Sequence, residues 1–180
     1  MIVKNLHLAL LFFLLLGPAA CATFDVKTEH DPTADFAGLK TFAFPKREDV
    51  EESGVQNNSV VRERIEGAVS RELTAKGLRP AGSGRQPDLM VYYWVSVQDK
   101  QRKAWRAGYG WGARYGGGGT TYPYEEGSLI VDLVEPAKGE LAWRATIAAH
   151  LENTTDENLD LASRGIAKAF ESYPPKNRTP

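Results

Sequence analysis

The sequence predicts an α+β domain, in which a mostly antiparallel sheet carries two helices packed on one face. Short segments in which apolar and polar residues alternate are typical of half-buried strands. Two longer segments instead have apolar residues at three- and four-residue spacing, which is typical of amphipathic helices. The order is strands, helix, strands, helix, and this segregated order favours an antiparallel sheet with helices on one side.

Two short strands open the predicted domain. Phe24, Val26 and Thr28 alternate with charged residues, which predicts a strand with one solvated face. A turn at residues 30–33 follows, and the alternation returns from Leu39 to Phe44 as a second strand.

The first helix is predicted from Ser59 to Lys76. Asn58 or Ser59 can cap its first turn, and Gly77 followed by Leu78 is typical of a helix end. Its apolar residues share one face: Val61, Ile65, Ala68, Val69 and Leu73.

Three further strands follow a predicted linker at residues 80–87. Leu89 to Val97 is apolar on both faces for most of its length, which predicts a central strand. Ser128 to Val134 and Leu141 to His150 predict a hairpin, because the proline and glycine of residues 136–139 suit a tight turn.

The second helix is predicted to open with a capping box between Thr154 and Glu157 and to end before Pro174. Its apolar face comprises Leu159, Ala162, Ile166, Ala169 and Phe170. Residues 21–175 therefore predict a single α+β domain, and residues 176–180 a disordered tail.

The N-terminus has the pattern of a bacterial export signal. Lys4 is followed by an apolar run from Leu8 to Leu16, which is too short to span a membrane, and then by small residues up to Cys21. We interpret residues 1–20 as a lipoprotein signal peptide and Cys21, the only cysteine, as the lipid acceptor. Pro18 lies where lipoproteins usually have an aliphatic residue. The alternative is ordinary cleavage after Ala22, which would release a soluble periplasmic protein.

Lipidation would fix the compartment of the protein. A cysteine that carries diacylglycerol and a further acyl chain such as palmitate anchors stably, because each buried methylene contributes about 0.8 kcal/mol. Ala22 follows the acceptor, and a residue other than aspartate there favours the outer membrane. We expect an outer-membrane protein that is lipid-anchored and faces the periplasm, part of the cell envelope.

Composition excludes several classes of function. The 22 basic and 23 acidic side chains nearly balance, whereas nucleic-acid binding needs a basic face. His30 and His150 are isolated, with no zinc-binding spacing, so no metal site is predicted. Gly82-Ser83-Gly84 lacks the strand-to-helix context of a nucleophile elbow, and no cofactor motif is present.

Several segments, in order, resemble the bacterial lipoproteins grouped as domain of unknown function 4136. The segments are Asp31-Pro32, Asp35-Phe36, Leu39 to Phe44, Pro87 to Tyr93, Gly127 to Val134, Gly139 to Arg144 and Tyr173-Pro174-Pro175. Phe44 lies where that family tends to have tryptophan, and Ala145 where it tends to have glycine. The resemblance implies an envelope lipoprotein. It supplies no catalytic residues, because the family has no established activity.

The segment from Trp105 to Gly119 is rich in glycine, aromatic residues and arginine. Exposed aromatic and arginine side chains form protein-binding hot spots and stack on sugars, although the segment can equally be a flexible hairpin tip. The candidate partner-contact residues are Trp105, Tyr109, Trp111, Arg114 and Tyr115.

The carboxylates of Asp132, Glu135 and Glu140 allow a second interpretation. A carboxylate pair can serve as the acid and base of a glycosidase. Asp132 lies within a predicted strand, however, and we expect it to face solvent or to pair with Arg144 across the hairpin.

The sequence thus predicts a non-enzymatic envelope lipoprotein that binds an envelope protein or glycan or supports envelope structure, with no nucleic-acid partner. The alternative is a periplasmic module that binds a small ligand in a pocket between sheet and helices, lined by Tyr93 and Trp143.

Overall fold

The computed structural model describes residues 24–46, 58–104 and 120–175. Its elements in chain order are β1 (Phe24–His30), β2 (Thr41–Ala43), α1 (Ser59–Ala75), β3 (Arg79–Pro80), β4 (Leu89–Ala104), β5 (Thr120–Glu135), β6 (Glu140–His150) and α2 (Thr155–Phe170). The strands form one sheet in the order β1-β6-β5-β4-β2-β3. The two helices pack against one face of the sheet, which confirms the α+β class.

The sheet is mixed, so the expectation of a mostly antiparallel sheet is wrong. Strands β1, β6, β5 and β4 form antiparallel ladders, but β2 runs parallel to both β3 and β4. The parallel pair arises because α1 carries the chain from β2 back to the same end of the sheet before β3 begins. Strand β3 overlaps the predicted linker only at Pro80. It has two residues, one of them Pro80, which is too short for any alternation.

Strand β2 is held to β4 by a side-chain clamp at Asp88. The Asp88 carboxylate accepts hydrogen bonds from the Thr41 hydroxyl at 2.7 Å, the Thr41 N–H at 2.8 Å and the Lys40 N–H at 3.0 Å. The Asp88 N–H donates to the Thr41 hydroxyl oxygen at 3.0 Å. These bonds, led by the one from the Thr41 hydroxyl, hold the pKa of Asp88 below its ordinary value.

Strands β4 and β5 are longer than predicted and pair along their whole length, from Met90 opposite Val134 to Ala104 opposite Thr120. Strand β6 accompanies them only as far as His150, opposite Glu126. Residues 99–104 and 120–125 therefore form a two-stranded extension, here called the ribbon. The six residues 99–104, at about 3.3 Å each, carry the ribbon about 20 Å beyond the strands that β6 supports. Residues 99–103 read Asp-Lys-Gln-Arg-Lys, which lacks the apolar alternation typical of a half-buried strand.

The capping residues predicted from the sequence are found at the ends of the helices. The Asn58 side chain accepts a hydrogen bond from the Val60 N–H at 2.9 Å. At the other end, Gly77 has a φ of 91° and Leu78 folds back, its N–H donating to the Leu73 carbonyl at 3.0 Å. In α2 the capping box of Thr154 and Glu157 is present.

Large aromatic side chains fill the core near the end of α2. The ring centroid of Trp143 lies 4.8 Å from that of Phe170 and 5.6 Å from that of Tyr173. The Tyr173 hydroxyl is buried, and it has no hydrogen-bond partner among the described residues. Burial raises the pKa of Tyr173 to about 12. Gly165 brings α2 so close to β6 that a Cβ there would lie 2.6 Å from the Ile147 Cγ2.

Candidate functional site

An apolar groove of about 210 Å³ lies between the sheet and the first turns of both helices. Strands β4, β5 and β6 form its floor, and the N-terminal halves of α1 and α2 form its walls. The apolar side chains that line it are Val61, Ile65, Val95, Val97, Leu129, Ile147, Ala149, Leu151, Leu159, Leu161 and Ala162.

Small residues leave this space open. Ala149 on β6 and Ala162 on α2 project only a methyl group where larger residues would fill the layer. Gly127 on β5 has no side chain, and a Cβ there would lie 2.6 Å from the Leu151 Cδ2. Leu151 follows β6 and lies over Gly127.

Few polar groups line the groove. Among the described residues its lining includes Ser128, Thr155 and Asn158 but no ionisable side chain. The Asn158 amide oxygen accepts from the Glu152 N–H at 2.7 Å, and its NH₂ donates to the Glu152 carbonyl at 3.1 Å. These bonds hold the turn before α2. The groove can therefore exclude water and hold an apolar group, but its lining supplies no acid or base.

The groove does not coincide with the ligand pocket that the sequence predicted at Tyr93 and Trp143. Trp143 is buried in the core, with 1% of its surface exposed, and does not line the groove. Tyr93 is half-buried, and its hydroxyl donates to the Glu66 carboxylate at 3.2 Å. The groove instead begins at Val95, two residues further along the same face of β4. Two features of the sequence indicate this position. The apolar face of β4 continues as far as Val97, and the residues at positions 127 and 149 are small, Gly127 and Ala149.

Two of the three candidate glycosidase carboxylates, Asp132 and Glu135, are engaged in ion pairs. Arg144 donates to Asp132 through two hydrogen bonds, and the bond to Asp132 raises the pKa of Arg144 above its ordinary value. Glu135 accepts from the Lys138 ammonium, with a closest N–O distance of 2.9 Å. The predicted pairing of Asp132 with Arg144 is confirmed, but Asp132 is buried beneath the guanidinium rather than exposed.

No group of three histidine, cysteine, aspartate or glutamate residues that could hold a metal lies within residues 24–46, 58–104 and 120–175. His30 packs its ring edge-on against Phe36, with centroids 6.3 Å apart. Over the same residues, neither helix combines the length and the apolar character that a bilayer crossing requires.

The predicted signal peptide, Cys21, the tail from residue 176 and the contact residues Trp105, Tyr109, Trp111, Arg114 and Tyr115 lie outside the described residues. Their neighbours locate the points at which the chain leaves the domain. Strand β1 begins at Phe24, opposite Ala149 near the end of β6. The ribbon leaves the sheet at that same end.

Residues 26–175 match the family described as Domain of unknown function (DUF4136). The chain belongs to this family. The match includes all or most of each strand of the sheet and both helices. The resemblance inferred from separate segments is thereby confirmed at the level of the family. None of the curated proteins matches the chain.

Solved structures similar to this DUF4136 domain show the fold alone. A PDZ domain protein from Parabacteroides distasonis aligns with 18% identity and a TM-score of 0.57 over 86% of this chain. This chain spans 37% of that protein. The PelC dodecamer from Paraburkholderia phytofirmans aligns with 14% identity and a TM-score of 0.48, over 82% of this chain and 94% of that one.

Proposed function

We propose that the chain is a non-enzymatic lipoprotein of the outer membrane, anchored through Cys21 and facing the periplasm. In this proposal the protein binds an envelope partner, a protein or a glycan, through Trp105, Tyr109, Trp111, Arg114 and Tyr115. The observation that carries the proposal is the ribbon, which extends past the supported part of the sheet and leads directly into this segment.

A two-stranded ribbon contributes little to the stability of a domain. Isolated hairpins are marginal in water, and within the described residues no third strand pairs with this one. The chain nevertheless orders residues 99–104 and 120–125 at the usual entropic cost of about 1–2 kcal/mol per residue. A contact surface at the tip explains this extension, because hot spots are rich in tryptophan, tyrosine and arginine.

The topology also favours a partner at the membrane surface. Only three peptide units separate Cys21 from Phe24, so their Cα atoms lie within about 11 Å of each other. The ribbon leaves the sheet at the end where β1 begins. A protein anchored at Cys21 therefore directs its ribbon towards the bilayer side of the domain, where a membrane-associated partner is within reach.

Crosslinked pull-downs from native envelopes test the contact segment. We expect deletion of residues 108–119 to abolish partner recovery while the melting temperature changes by less than about 2 °C, since little stability lies in this segment. A variant that replaces only Trp105, Tyr109, Trp111, Arg114 and Tyr115 with serine keeps the loop length and should give the same loss. Equal recovery from both variants and the wild type would overturn the assignment.

The intact mass of protein from the membrane fraction tests the anchor. We expect a chain that begins at Cys21 and carries diacylglycerol and a further acyl chain. An unmodified chain that begins at Thr23 and is found in the soluble fraction would leave a free periplasmic protein, the alternative stated above.

A further inference from the structure

We propose that the apolar groove binds one acyl chain of the lipid attached to Cys21 of the same molecule. The inference rests on the lipid anchor proposed above and assigns that lipid a second contact besides the membrane.

The lining of the groove suits an alkyl chain. The side chains that face it are aliphatic, with three small polar residues and no aromatic ring or charge. Its volume of about 210 Å³ exceeds the roughly 150 Å³ of an engineered apolar cavity that accepts benzene. A space of this size and chemistry holds several methylenes but offers no charged partner for a polar headgroup.

The position of the groove matches the path of the N-terminal chain. Phe24, Ala149, Gly127 and Val97 form one row across β1, β6, β5 and β4. The last three of these residues line the groove, so it lies one strand away from the first residue of β1. With the Cα of Cys21 within about 11 Å of that of Phe24, the lipid is attached at the groove end of the domain.

An exposed apolar residue marks the margin of the groove. Val97 has 47% of its surface exposed, although the neighbouring groove residue Leu129 has only 5%. Val97 and Phe24 occupy the two outer strands of that row. A chain entering over this row would cover apolar surface that otherwise faces water.

Burial of the chain would matter most outside the bilayer. Each methylene group that moves from water into the groove raises the equilibrium constant for binding about fourfold, which is equivalent to about 0.8 kcal/mol. In a membrane the same chain already has apolar surroundings, so the groove gains little there. It would shelter a chain while the lipoprotein passes from one membrane to another.

Photo-crosslinking tests this assignment. Cells are grown with a fatty acid that carries a terminal diazirine, and the purified protein is irradiated after dilution from detergent into buffer, where no bilayer competes for the acyl chain. Acyl-modified peptides are then located by mass spectrometry. We expect modified peptides to contain Val61 or Leu159. Ala149→Leu and Ala162→Leu, which fill the groove from opposite sides, should each reduce that yield at least fivefold.

Matched controls separate the possible outcomes. Ala148→Leu adds the same bulk to the opposite face of β6 and should leave the yield unchanged. Equal yields in the wild type and both filling variants, each with a melting curve showing that it is folded, would overturn the inference. Cys21→Ala should abolish groove labelling, and full labelling in that variant would mean that a free lipid is bound instead.

The intact mass of the wild type distinguishes the two proposals. An acylated Cys21 without groove crosslinks would overturn the groove assignment and leave the anchor in place. An unacylated Cys21 would overturn both.

Discussion

Asp132 and Arg144 lie directly opposite each other on β5 and β6 and form two parallel hydrogen bonds of 2.6 and 2.5 Å. They occupy the face of the sheet that carries no helix. The Asp132 side chain is nevertheless only 5% exposed, whereas that of Arg144 is 40% exposed. The guanidinium covers the carboxylate from one side, and Tyr92 is its cross-strand neighbour on the other. Of the two alternatives that the sequence leaves for Asp132, solvent exposure or pairing with Arg144, the structure shows the pairing, and the partner itself buries the carboxylate.

Removal of Arg144 alone should destabilise the fold. We expect Arg144→Met to lower the free energy of unfolding by about 2 kcal/mol, because it leaves the Asp132 carboxylate buried without its bidentate donor. The double variant Asp132→Asn/Arg144→Met should recover part of that loss. Urea unfolding of the two single variants and the double variant measures the coupling. A coupling below about 0.5 kcal/mol would mean that the pair is worth no more than an ordinary surface ion pair.

Gly165 should be the glycine least tolerant of a methyl group among the helical ones described. In Gly165→Ala the new Cβ would lie 2.6 Å from Ile147 Cγ2, a branched side chain held in the core, so α2 must shift. We expect a loss of about 1–3 kcal/mol in thermal or urea unfolding. Gly67→Ala on α1 is the matched control. Its nearest contact is the mobile end of Arg71 at 3.7 Å, so the better helix propensity of alanine should stabilise it by about 0.5–1 kcal/mol. Destabilisation of similar size in both variants would contradict this explanation.

Tyr173→Phe should stabilise the protein. The Tyr173 hydroxyl is buried without a partner among the described residues, and a buried unpaired hydroxyl costs about 1–3 kcal/mol. Phenylalanine keeps the contacts with Trp143 and Phe170. We expect a gain of about 1 kcal/mol, seen as a higher melting temperature. Tyr173→Leu, which removes the ring as well, should instead destabilise. A loss in Tyr173→Phe would show that the hydroxyl has a partner, such as ordered water.

The hydrogen bonds to Asp88 should make the free energy of unfolding depend on pH in the acidic range. Because the folded pKa of Asp88 is lowered from 3.8, its contribution is present above pH 3.8 and is lost as the pH falls through the folded value. Asp88→Asn should therefore be less stable than the wild type at pH 7, and the difference should shrink below pH 3.8. Thr41→Ala removes the largest cause of the shift and should move the acid transition to higher pH. Unfolding curves between pH 2 and 7 test both, and parallel pH profiles for the wild type and Asp88→Asn would contradict the assignment.

The helices could be predicted from the sequence because their signals are local. Asn58 and Gly77 bound α1, and Thr154 with Glu157 starts α2, all within one turn of the ends that they fix. Strand β3 could not be found in this way, because a two-residue strand is defined only by its neighbour β2. The ribbon also escaped prediction, because residues 99–103 lack the apolar alternation of a half-buried strand.

The groove depends on residues that are far apart in the sequence. Val61, Gly127, Ala149 and Ala162 come from four different elements, and no local pattern in the sequence links them. Only the packing of α1 and α2 over the sheet shows that their small or aliphatic side chains enclose a common space. Tyr93 and Trp143 lie on the same face of the sheet as the groove, but they are nearer than the groove to the aromatic core around Phe170 and Tyr173.

One edge of β4 is open in the described part of the chain. Strand β2 pairs with it only at Leu89 and Met90, so residues 91–104 have a neighbouring strand on one side alone. Such an edge invites another strand to add to it, and charged residues, lysine above all, discourage this. Asp99, at the start of the ribbon, is charged and exposed. A charge there opposes edge-to-edge pairing between copies, and a variant with an apolar residue at this position would lose that protection.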